Sequence, residues 1–393
     1  MKVALLNITS GRLSEGYRTY LKHILPRMFS HPQISDLLVG MPEAIDMYEW
    51  EQKFPSAQWI KFKTSILSSS GIRDDIKERI IMFSPEVIFI PTMRFLRINS
   101  IPTVNMIRNM GSFFYSNERG MPITETLINC LRRRATRNAV VNADRIIAVS
   151  KFVKDFLISQ WKISPNRIGI VYHGVELNQK GSKMVKPSSI PKGWEGKFLF
   201  TAGSIRPQRG LQDIILAMRH LLVYKNDIIG LLIAGHTNSN MIKFREHLES
   251  LIKKYNIEDR IFWLGKLNTS QMRWCYQNCR VFVMTSRVEA CPNTALEAMS
   301  NGCLCVSTNN SPMPEIFGDA AIYYPVGDEE TLSKTLKDIL VWNDNQRKEA
   351  SERARKRAAN FSWDICAEKT IAELAKVVRK EKICSRSSRS LEN

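Results

Sequence analysis

Short apolar runs recur along the chain, separated by longer segments in which apolar residues follow a helical spacing. The runs are rich in Val, Ile and Leu, which favours buried strands. Seven strands are predicted in the first half: Lys2–Asn7, Asp36–Val39, Gln58–Phe62, Glu86–Pro91, Thr103–Ile107, Arg145–Val149 and Ile168–Tyr172. Six are predicted in the second half: Lys197–Ala202, Ile228–Ala234, Arg260–Leu264, Arg280–Met284, Cys303–Ser307 and Ala321–Pro325.

This alternation of strand and helix predicts the α/β fold class, with mostly parallel sheets and helices on both faces. A length of 393 residues suits two Rossmann-like, doubly wound domains. We assign residues 1–176 and 197–362 to these domains and the Pro- and Gly-containing residues 177–196 to a linker. Two such domains facing each other would leave a cleft between their strand ends. The Ser/Arg-rich residues 381–393 are predicted to form a disordered tail.

The composition indicates a soluble globular protein, with 44% hydrophobic and 24% charged residues. No apolar run reaches the roughly 20 residues that span a bilayer. The N-terminus is predicted to be a first strand rather than a signal peptide, so we expect a cytoplasmic location. Eight cysteines without a C-x-x-C pair indicate buried thiols rather than disulfides or a zinc site.

The formal net charge of +19 favours polyanionic partners such as nucleic acid, anionic lipid or phosphorylated glycans. The predicted helix Leu127–Val140 carries a cluster of arginines: Arg132, Arg133, Arg134 and Arg137. One interpretation is an ordinary solvated helix face. The alternative hypothesis is docking to anionic lipid head groups or to a phosphorylated acceptor, with the protein on the inner face of the membrane. No specific nucleic acid is expected.

One stretch, Ser286–Glu297, combines a loop and a helix start after the buried strand Arg280–Met284. The pattern predicts Glu289 in the loop and Glu297 on the first turns of a helix entered through a Pro turn, with Asn293 as the cap. In open α/β sheets ligands bind beyond the carboxyl ends of strands and at helix N-termini. Glu289 is then placed to accept hydrogen bonds from sugar hydroxyls and Glu297 from a ribose diol. The amides at the start of the helix (Asn293, Thr294, Ala295) are candidates for holding a phosphate. The alternative is an ordinary surface loop with solvated glutamates.

The same stretch resembles the E-x7-E region of the retaining, nucleotide-sugar-dependent glycosyltransferases of family four, which have the GT-B architecture. The matching positions are Glu289, Glu297, Ala298, Met299 and Gly302. Ala290 and Pro292 stand where the family usually has glycine. The resemblance implies that a last helix, residues 363–380, returns to the N-terminal domain.

Thr201–Gly210 resembles the family loop G-R-L-x-x-x-K-G, whose two basic residues hold the donor diphosphate. Arg209 takes the Lys position, whereas Ser204 takes the Arg position and Arg206 follows two residues later. Guanidinium groups stabilise the charge that develops on a leaving diphosphate, so Arg206 and Arg209 join Glu289 as predicted catalytic residues. The alternative is two arginines on an exposed turn. The resemblance also implies that strand-end glycines line the nucleotide pocket: Gly203, Gly235 and Gly265.

In the first half, Gly16 best matches the family's glycine-containing loop after the first strand, although a plain turn explains it equally well. Arg108 and Asn109 stand where many members carry His-Asp. Asn109 can hydrogen-bond a sugar hydroxyl but cannot carry a proton. Ser150 is predicted to open a helix as its N-cap, facing the cleft. His173 matches a closing-strand position and is predicted to be structural rather than catalytic.

The resemblance implies transfer of a sugar from a nucleotide-sugar to a hydroxyl of a glycan or glycolipid acceptor, with retention, in cell-surface polysaccharide or lipopolysaccharide biosynthesis. It implies neither a metal nor another cofactor, and the chain contains no D-x-D motif. Two alternatives stay open. One is a nucleotide-sugar epimerase or hydrolase of the same fold, and the other is a non-catalytic polyanion-binding protein.

Overall fold

A computed structural model describes residues 1–9, 13–63, 74–114, 123–177, 183–222 and 230–389. The chain divides into two compact units. Unit 1 comprises Met1–Ser112, Ile128–Gly174 and Trp363–Asn393. Unit 2 comprises Phe113–Leu127 and Val175–Ser362. No helix in the described ranges is both long and apolar enough to cross a membrane.

Strands and helices alternate along the chain. The strands are β1 (Lys2–Leu6), β2 (Asp36–Pro42), β3 (Gln58–Phe62), β4 (Val87–Ile90), β5 (Thr103–Ile107), β6 (Arg145–Ala148), β7 (Ile168–Ile170), β8 (Phe198–Ala202), β9 (Gly230–Ala234), β10 (Ile261–Gly265), β11 (Val281–Met284), β12 (Cys305–Thr308) and β13 (Ala321–Tyr324). The helices are α1 (Glu15–Phe29), α2 (Tyr48–Lys53), α3 (Asp74–Phe83), α4 (Gly111–Phe114), α5 (Ile123–Asn142), α6 (Lys151–Trp161), α7 (Leu211–Leu222), α8 (Ile242–Lys254), α9 (Thr269–Asn278), α10 (Asn293–Ser300), α11 (Met313–Phe317), α12 (Glu329–Leu340), α13 (Asp344–Ala358) and α14 (Trp363–Arg389).

The sheet of unit 1 is parallel, with the strand order β3-β2-β1-β4-β5-β6-β7. Its central strands are apolar and fully covered: Leu5 pairs with Val39 on one side and with Phe89 on the other, and all three are buried. Strands that are buried on both faces read as continuous apolar runs, which is why the sequence pattern identified them. The strand order reverses between β1 and β4, so ligands are expected beyond the carboxyl ends of these two strands.

The sheet of unit 2 is also parallel, in the Rossmann order β10-β9-β8-β11-β12-β13. Leu231, Ile233 and Val283 contribute to a core that also contains Ile214 and Leu336 from helices. The reversal of strand order here falls between β8 and β11. The predicted α/β class with two doubly wound parallel sheets is therefore confirmed, and every predicted strand is present with ends shifted by three residues or fewer.

Two segments differ from the sequence prediction. The described part of the predicted linker packs on unit 2: Trp194 is buried, with its ring centroid 5.1 Å from that of Phe262. Burying the apolar side chains of this segment is more favourable than leaving them exposed in a solvated linker. The last helix, α14, continues to Arg389 where a disordered tail was predicted, because Glu381-Lys382-Ile383 are tolerated in a helix and no Gly or Pro interrupts them.

Helix α14 packs within unit 1 although it lies at the end of the chain. The Trp363 ring stacks on His23 of α1 at 4.8 Å with an interplanar angle of 11°, and it meets Tyr20 edge-on at 6.2 Å. Further along the helix, Glu373 accepts a hydrogen bond from Arg145 of β6. These contacts make α14 an integral part of the unit that contains the N-terminus.

Candidate functional site

The carboxyl ends of three strands in unit 2 meet through glycines. The Gly203 amide donates to the Ala234 carbonyl at 2.9 Å, and the Gly235 amide donates to the Gly265 carbonyl at 2.8 Å. A Cβ added at Gly235 would lie 1.8 Å from the Gly203 carbonyl oxygen. Only glycine permits this approach of two backbones, so the three predicted glycines form one continuous strand-end surface.

Arg209 and Glu289 lie together at the point where the strand order of unit 2 reverses. Arg209 ends a short 3-10 turn after β8, and Glu289 lies in the loop after β11. Arg209 Nη1 donates to Glu289 Oε1 and, at 3.3 Å, to Ser286 Oγ. Both side chains are mostly buried, with 22% and 14% exposed. The structure therefore brings together the two residues that the sequence predicted from separate motifs.

The backbone around Arg209 is fixed from both sides. Thr285 Oγ1 donates to the Arg209 carbonyl at 2.6 Å. Gly210 has φ +58°, and a Cβ there would lie 2.2 Å from the Thr285 carbonyl oxygen. A Cβ at Gly203 would lie 2.9 Å from the Arg209 guanidinium carbon, so this side chain lies flat against a glycine. These contacts fix the backbone of Arg209 and bring its guanidinium close to the backbone of Gly203.

Arg206 and Ser204 belong to the same loop and are both partly buried. Arg206 is the N-cap residue of the 3-10 turn that ends at Arg209. Ile205, between them, is 1% exposed and anchors the loop. The sequence placed both residues correctly beside the strand end, while their roles toward a donor stay predictions.

Glu297 lies on α10, one helical turn beyond Asn293. The cap residue of α10 is Pro292, whose carbonyl accepts from the Ala295 amide at 3.1 Å; the prediction of Asn293 as cap is therefore wrong, and Asn293 is the first helical residue. Proline's fixed φ suits a residue at the entrance of a helix, and α10 begins without a side-chain cap. The Ala295 amide, a predicted phosphate ligand, is therefore already engaged by Pro292, whereas Thr294 lies in the first turn, where the α-helical ladder supplies no partner for an amide.

Tyr276 of α9 donates its hydroxyl to Glu297 Oε2 at 3.0 Å. Burial raises the pKa of Glu297 to about 7, and the hydrogen bond from Tyr276 opposes this shift. Tyr276 was not predicted from the sequence, because its position on a preceding helix gives no local signal. A carboxyl group held in this way is a directed acceptor rather than a solvated surface charge.

Asp213 is a second buried residue that was not predicted from the sequence. It is 3% exposed at the side chain and pairs with Arg287 Nη2 at 3.1 Å. The Tyr324 hydroxyl donates to it at 3.2 Å, and the Gly327 amide at 3.0 Å. Arg287 precedes Glu289 in the same loop, so Asp213 ties that loop to α7 and to the segment after β13. The signal that the sequence offered was an acidic residue in the first turn of a largely apolar helix.

The candidates in unit 1 have different surroundings. Gly16 lies in the first turn of α1, whereas residues 10–12 of its predicted loop are outside the described ranges. Asn109 is exposed and accepts from the Gly111 amide at 2.8 Å, which makes it a local turn residue. Ser150 accepts from the Val153 amide at 3.2 Å, so its prediction as the N-cap of α6 is confirmed. His173 is buried, 5.8 Å from the Tyr20 ring.

Arg108 follows β5 and is partly buried among aromatic rings. Its guanidinium carbon lies 4.1 Å from the Tyr17 ring centroid and 4.9 Å from that of Tyr20. The arginine cluster of α5 is exposed at all four predicted positions, Arg132, Arg133, Arg134 and Arg137. In the part of the chain that the structure describes, no group of three His, Cys, Asp or Glu side chains suits a metal ion.

Two Rossmann-like parallel sheets are the fold that this chain shares with GT-B glycosyltransferases of known structure. The profile of the family described as "Glycosyl transferases group 1" matches residues 186–357, and that of "Glycosyltransferase Family 4" matches residues 63–179. The two profiles match successive parts of the chain, and together they support its placement among the group 1 glycosyltransferases.

Individual relatives are distant. Over 222 residues the chain is 27% identical to a Campylobacter jejuni protein named N-acetylgalactosamine-N,N'-diacetylbacillosaminyl-diphospho-undecaprenol 4-alpha-N-acetylgalactosaminyltransferase, covering 56% of each chain. Over 178 residues it is 27% identical to O-antigen chain mannosyltransferase B of Escherichia coli, covering 45% of each. The chain thus spans about half the length of these curated relatives. The crystal structure of Anabaena Alr3699/HepE in complex with UDP and glucose matches with a TM-score of 0.72 at 16% identity, over 96% of this chain and 100% of that one, which establishes a shared fold.

Proposed function

We propose that this protein transfers a sugar, with retention, from a nucleotide-sugar to a hydroxyl of a glycan or lipid-linked acceptor in surface polysaccharide or lipopolysaccharide assembly. The observation that carries the proposal is the Arg209–Glu289 pair at the strand-order reversal of unit 2. Ligands of doubly wound sheets bind at this kind of position. A cation and a carboxylate in direct contact there match a substrate that combines a diphosphate with a sugar.

In the proposed mechanism Arg209 receives the charge that develops on the leaving nucleoside diphosphate. Its Nη1 is engaged with Ser286 and Glu289, and a guanidinium has further N–H groups available for phosphate oxygens. Arg206, on the same loop, adds a second positive charge. Fixed donors of this kind act where charge appears in the transition state and need no reorganisation.

Glu289 and Glu297 have separate roles in this proposal. Glu289 accepts hydrogen bonds from hydroxyls of the transferred sugar, and Glu297 accepts from the ribose. The amides at the start of α10, including those of Asn293 and Thr294, bind a phosphate through the helix N-terminus. No residue is assigned as a covalent nucleophile, and the leaving diphosphate takes the acceptor proton. The protein contributes positioning and charge stabilisation.

The relatives support the acceptor class. The name of the C. jejuni protein specifies a diphospho-undecaprenol-linked acceptor, and the E. coli protein is named for the O-antigen chain. We therefore propose a lipid-linked glycan as the acceptor. We also propose that α5 docks on anionic lipid. Its exposed side chains include Leu127 and Leu131 beside the arginine cluster, a combination typical of helices that lie in a membrane interface.

A binding screen followed by a stereochemical assay tests the transferase proposal. Thermal shifts with UDP, GDP and ADP would identify the nucleotide, and NMR of the product formed from the matching sugar donor would show its anomeric configuration. We expect Glu289→Gln to keep nucleotide affinity within about twofold while transfer falls roughly a hundredfold or more. Arg209→Met should lower both the nucleotide affinity and the rate of transfer.

The exposed Glu246→Gln on α8 serves as the matched control and should behave like the wild type. Release of free sugar or of an epimer without acceptor would replace the proposal with a hydrolase or epimerase. Absence of nucleotide binding together with salt-steep binding to nucleic acid would indicate the polyanion-binding alternative.

A further inference from the structure

Arg108 is held on an aromatic platform at the carboxyl edge of the sheet in unit 1. The rings of Tyr17 and Tyr20, both on α1, lie 4.1 Å and 4.9 Å from its guanidinium carbon. Its hydrogen bond to the Pro91 carbonyl is long, at 3.5 Å. Cation–π contacts orient the guanidinium plane and leave the N–H groups at its edge available for hydrogen bonds.

No carboxylate in the described ranges neutralises Arg108. Its Nε is buried without a hydrogen-bond partner there. The nearby ionisable groups, the two phenols and the Cys366 thiol, all have pKa values raised by burial, so they are neutral at pH 7. Burial also lowers the pKa of Arg108, but an arginine keeps its charge. A partly buried cation without a counter-charge is costly unless an anion binds it.

Structural arginines in the same unit look different. Arg145 donates to Glu373 and, at 2.8 Å, to the Asn166 carbonyl. Arg167 donates to the Val141 carbonyl at 2.9 Å and to the Ala143 carbonyl. Each of these two arginines has at least two acceptors supplied by the protein itself, whereas Arg108 has one long hydrogen bond among the described residues. The contrast argues that Arg108 is kept for a ligand rather than for the fold.

The position of Arg108 agrees with this role. Its carbonyl partner, Pro91, directly follows β4, and Thr92 Oγ1 donates to the Ile8 carbonyl beyond β1 at 3.2 Å. These two strands flank the strand-order reversal of unit 1. Arg108 therefore lies beside the location where a doubly wound sheet binds its ligand.

We propose that Arg108 is the anion-recognition residue of unit 1 and binds phosphoryl oxygens of a substrate diphosphate. The planar fork of a guanidinium matches a phosphate with two parallel hydrogen bonds. The inference rests on the proposed function, whose two substrates each supply this chemistry: the nucleoside diphosphate of the donor and the lipid-linked diphosphate of the acceptor.

Calorimetric titration separates these two sources. The probes are inorganic pyrophosphate, geranyl diphosphate as the acceptor-like compound, and the nucleoside diphosphate that gives the largest thermal shift. Arg108→Met should weaken pyrophosphate about tenfold or more. If binding of geranyl diphosphate is weakened equally while binding of the nucleotide is unaffected, the diphosphate that Arg108 recognises belongs to the acceptor. If binding of the nucleotide is weakened and that of geranyl diphosphate is unaffected, it belongs to the donor.

Two further variants keep the test decisive. Arg108→Lys retains the charge on the aromatic platform but loses the fork, so it should also weaken pyrophosphate and provides the measurement if the Met variant misfolds. Arg18→Met removes an exposed charge from the neighbouring turn of α1 and should bind like the wild type. Equal binding of all three probes by wild type and both Arg108 variants overturns the proposal, as does a wild type that binds none. Pyrophosphate binding that depends on Arg108, without any transfer activity, would overturn only the proposed transferase function.

Discussion

The hydroxyl of Tyr276 donates to Glu297 Oε2 across 3.0 Å, joining α9 to α10 beneath the candidate donor site. Tyr276 is itself held between aromatic rings, 5.3 Å from Phe200 and 5.6 Å from Phe282. The carboxyl of Glu297 is thus oriented by a side chain that has little freedom to move. Burial raises its pKa to about 7, far from the usual value of about 4.3.

This raised pKa predicts how stability depends on pH. The folded protein holds the Glu297 proton to a higher pH than the unfolded chain, so the associated stabilisation is fully present below about pH 4.3 and is lost as pH rises through about 7. Between about pH 4.5 and 7.5 the free energy of unfolding of the wild type should fall relative to Glu297→Gln, by at most about 3 kcal/mol. Urea titrations at several pH values measure this difference.

Tyr276→Phe is the companion variant. It removes the hydrogen bond that favours the ionised carboxylate, so the pKa of Glu297 should rise further. The stabilisation linked to this pKa should then be lost at a higher pH than in the wild type. A stability difference that stays constant across the pH range would contradict the assignment of a raised pKa to Glu297.

The strand-end glycines predict two unequal alanine substitutions. Gly235→Ala places a Cβ 1.8 Å from the Gly203 carbonyl oxygen, so the strand ends must separate and we expect a loss of more than about 3 kcal/mol. Gly265→Ala meets nothing within 4 Å and suffers only from φ +64°, which costs about 1 to 2 kcal/mol. Chemical denaturation of both variants checks the order. Equal losses would show that the backbones are not in contact.

Asp213 predicts a strong dependence on one buried carboxylate. Asp213→Asn keeps the shape but leaves Arg287 facing a neutral amide, and we expect a loss of about 3 kcal/mol in the free energy of unfolding. Tyr324→Phe removes only one neutral donor from the same carboxylate and should cost about 1 kcal/mol. If both variants lose the same amount, the ion pair contributes nothing beyond its hydrogen bonds.

Helix α5 predicts salt-sensitive vesicle binding. Replacing its four exposed arginines by Ser should reduce flotation with phosphatidylserine vesicles at least about tenfold, since each basic residue near an anionic surface contributes about 1 kcal/mol. The control replaces four exposed cations of unit 2 by Ser: Lys253, Lys348, Arg353 and Lys356. Equal flotation of both quadruple variants would assign any binding to general charge rather than to α5.

The strands and one helix cap could be predicted from local sequence patterns. Every strand in the described part of the chain was identified because parallel strands in doubly wound sheets are continuous apolar runs. The N-cap role of Ser150 followed from one residue type at one position. The prediction of Asn293 as the N-cap of α10 was wrong for a similarly local reason. Two adjacent residues are compatible with a helix start, and in the structure the N-cap is Pro292.

The unpredicted features depend on packing between distant segments. The surroundings of Arg108 include Tyr17 from α1 and Cys366, which lies more than 250 positions after Arg108 in the sequence. Tyr276 and Glu297 come from different helices, and Asp213 meets Arg287 and Gly327 from two separate loops. No spacing rule brings such residues together, because their proximity is a property of the folded chain.

The covering of α1 by Trp363 has a consequence for protein synthesis. The ribosome makes the segment from Val175 to Ser362 before it reaches Trp363, so most of unit 2 is translated while unit 1 still lacks a piece. Tyr20 and His23 of α1 therefore gain their contacts with the Trp363 ring only after that segment has been made. Unit 1 is thus completed only after the Val175–Ser362 segment of unit 2 has been translated.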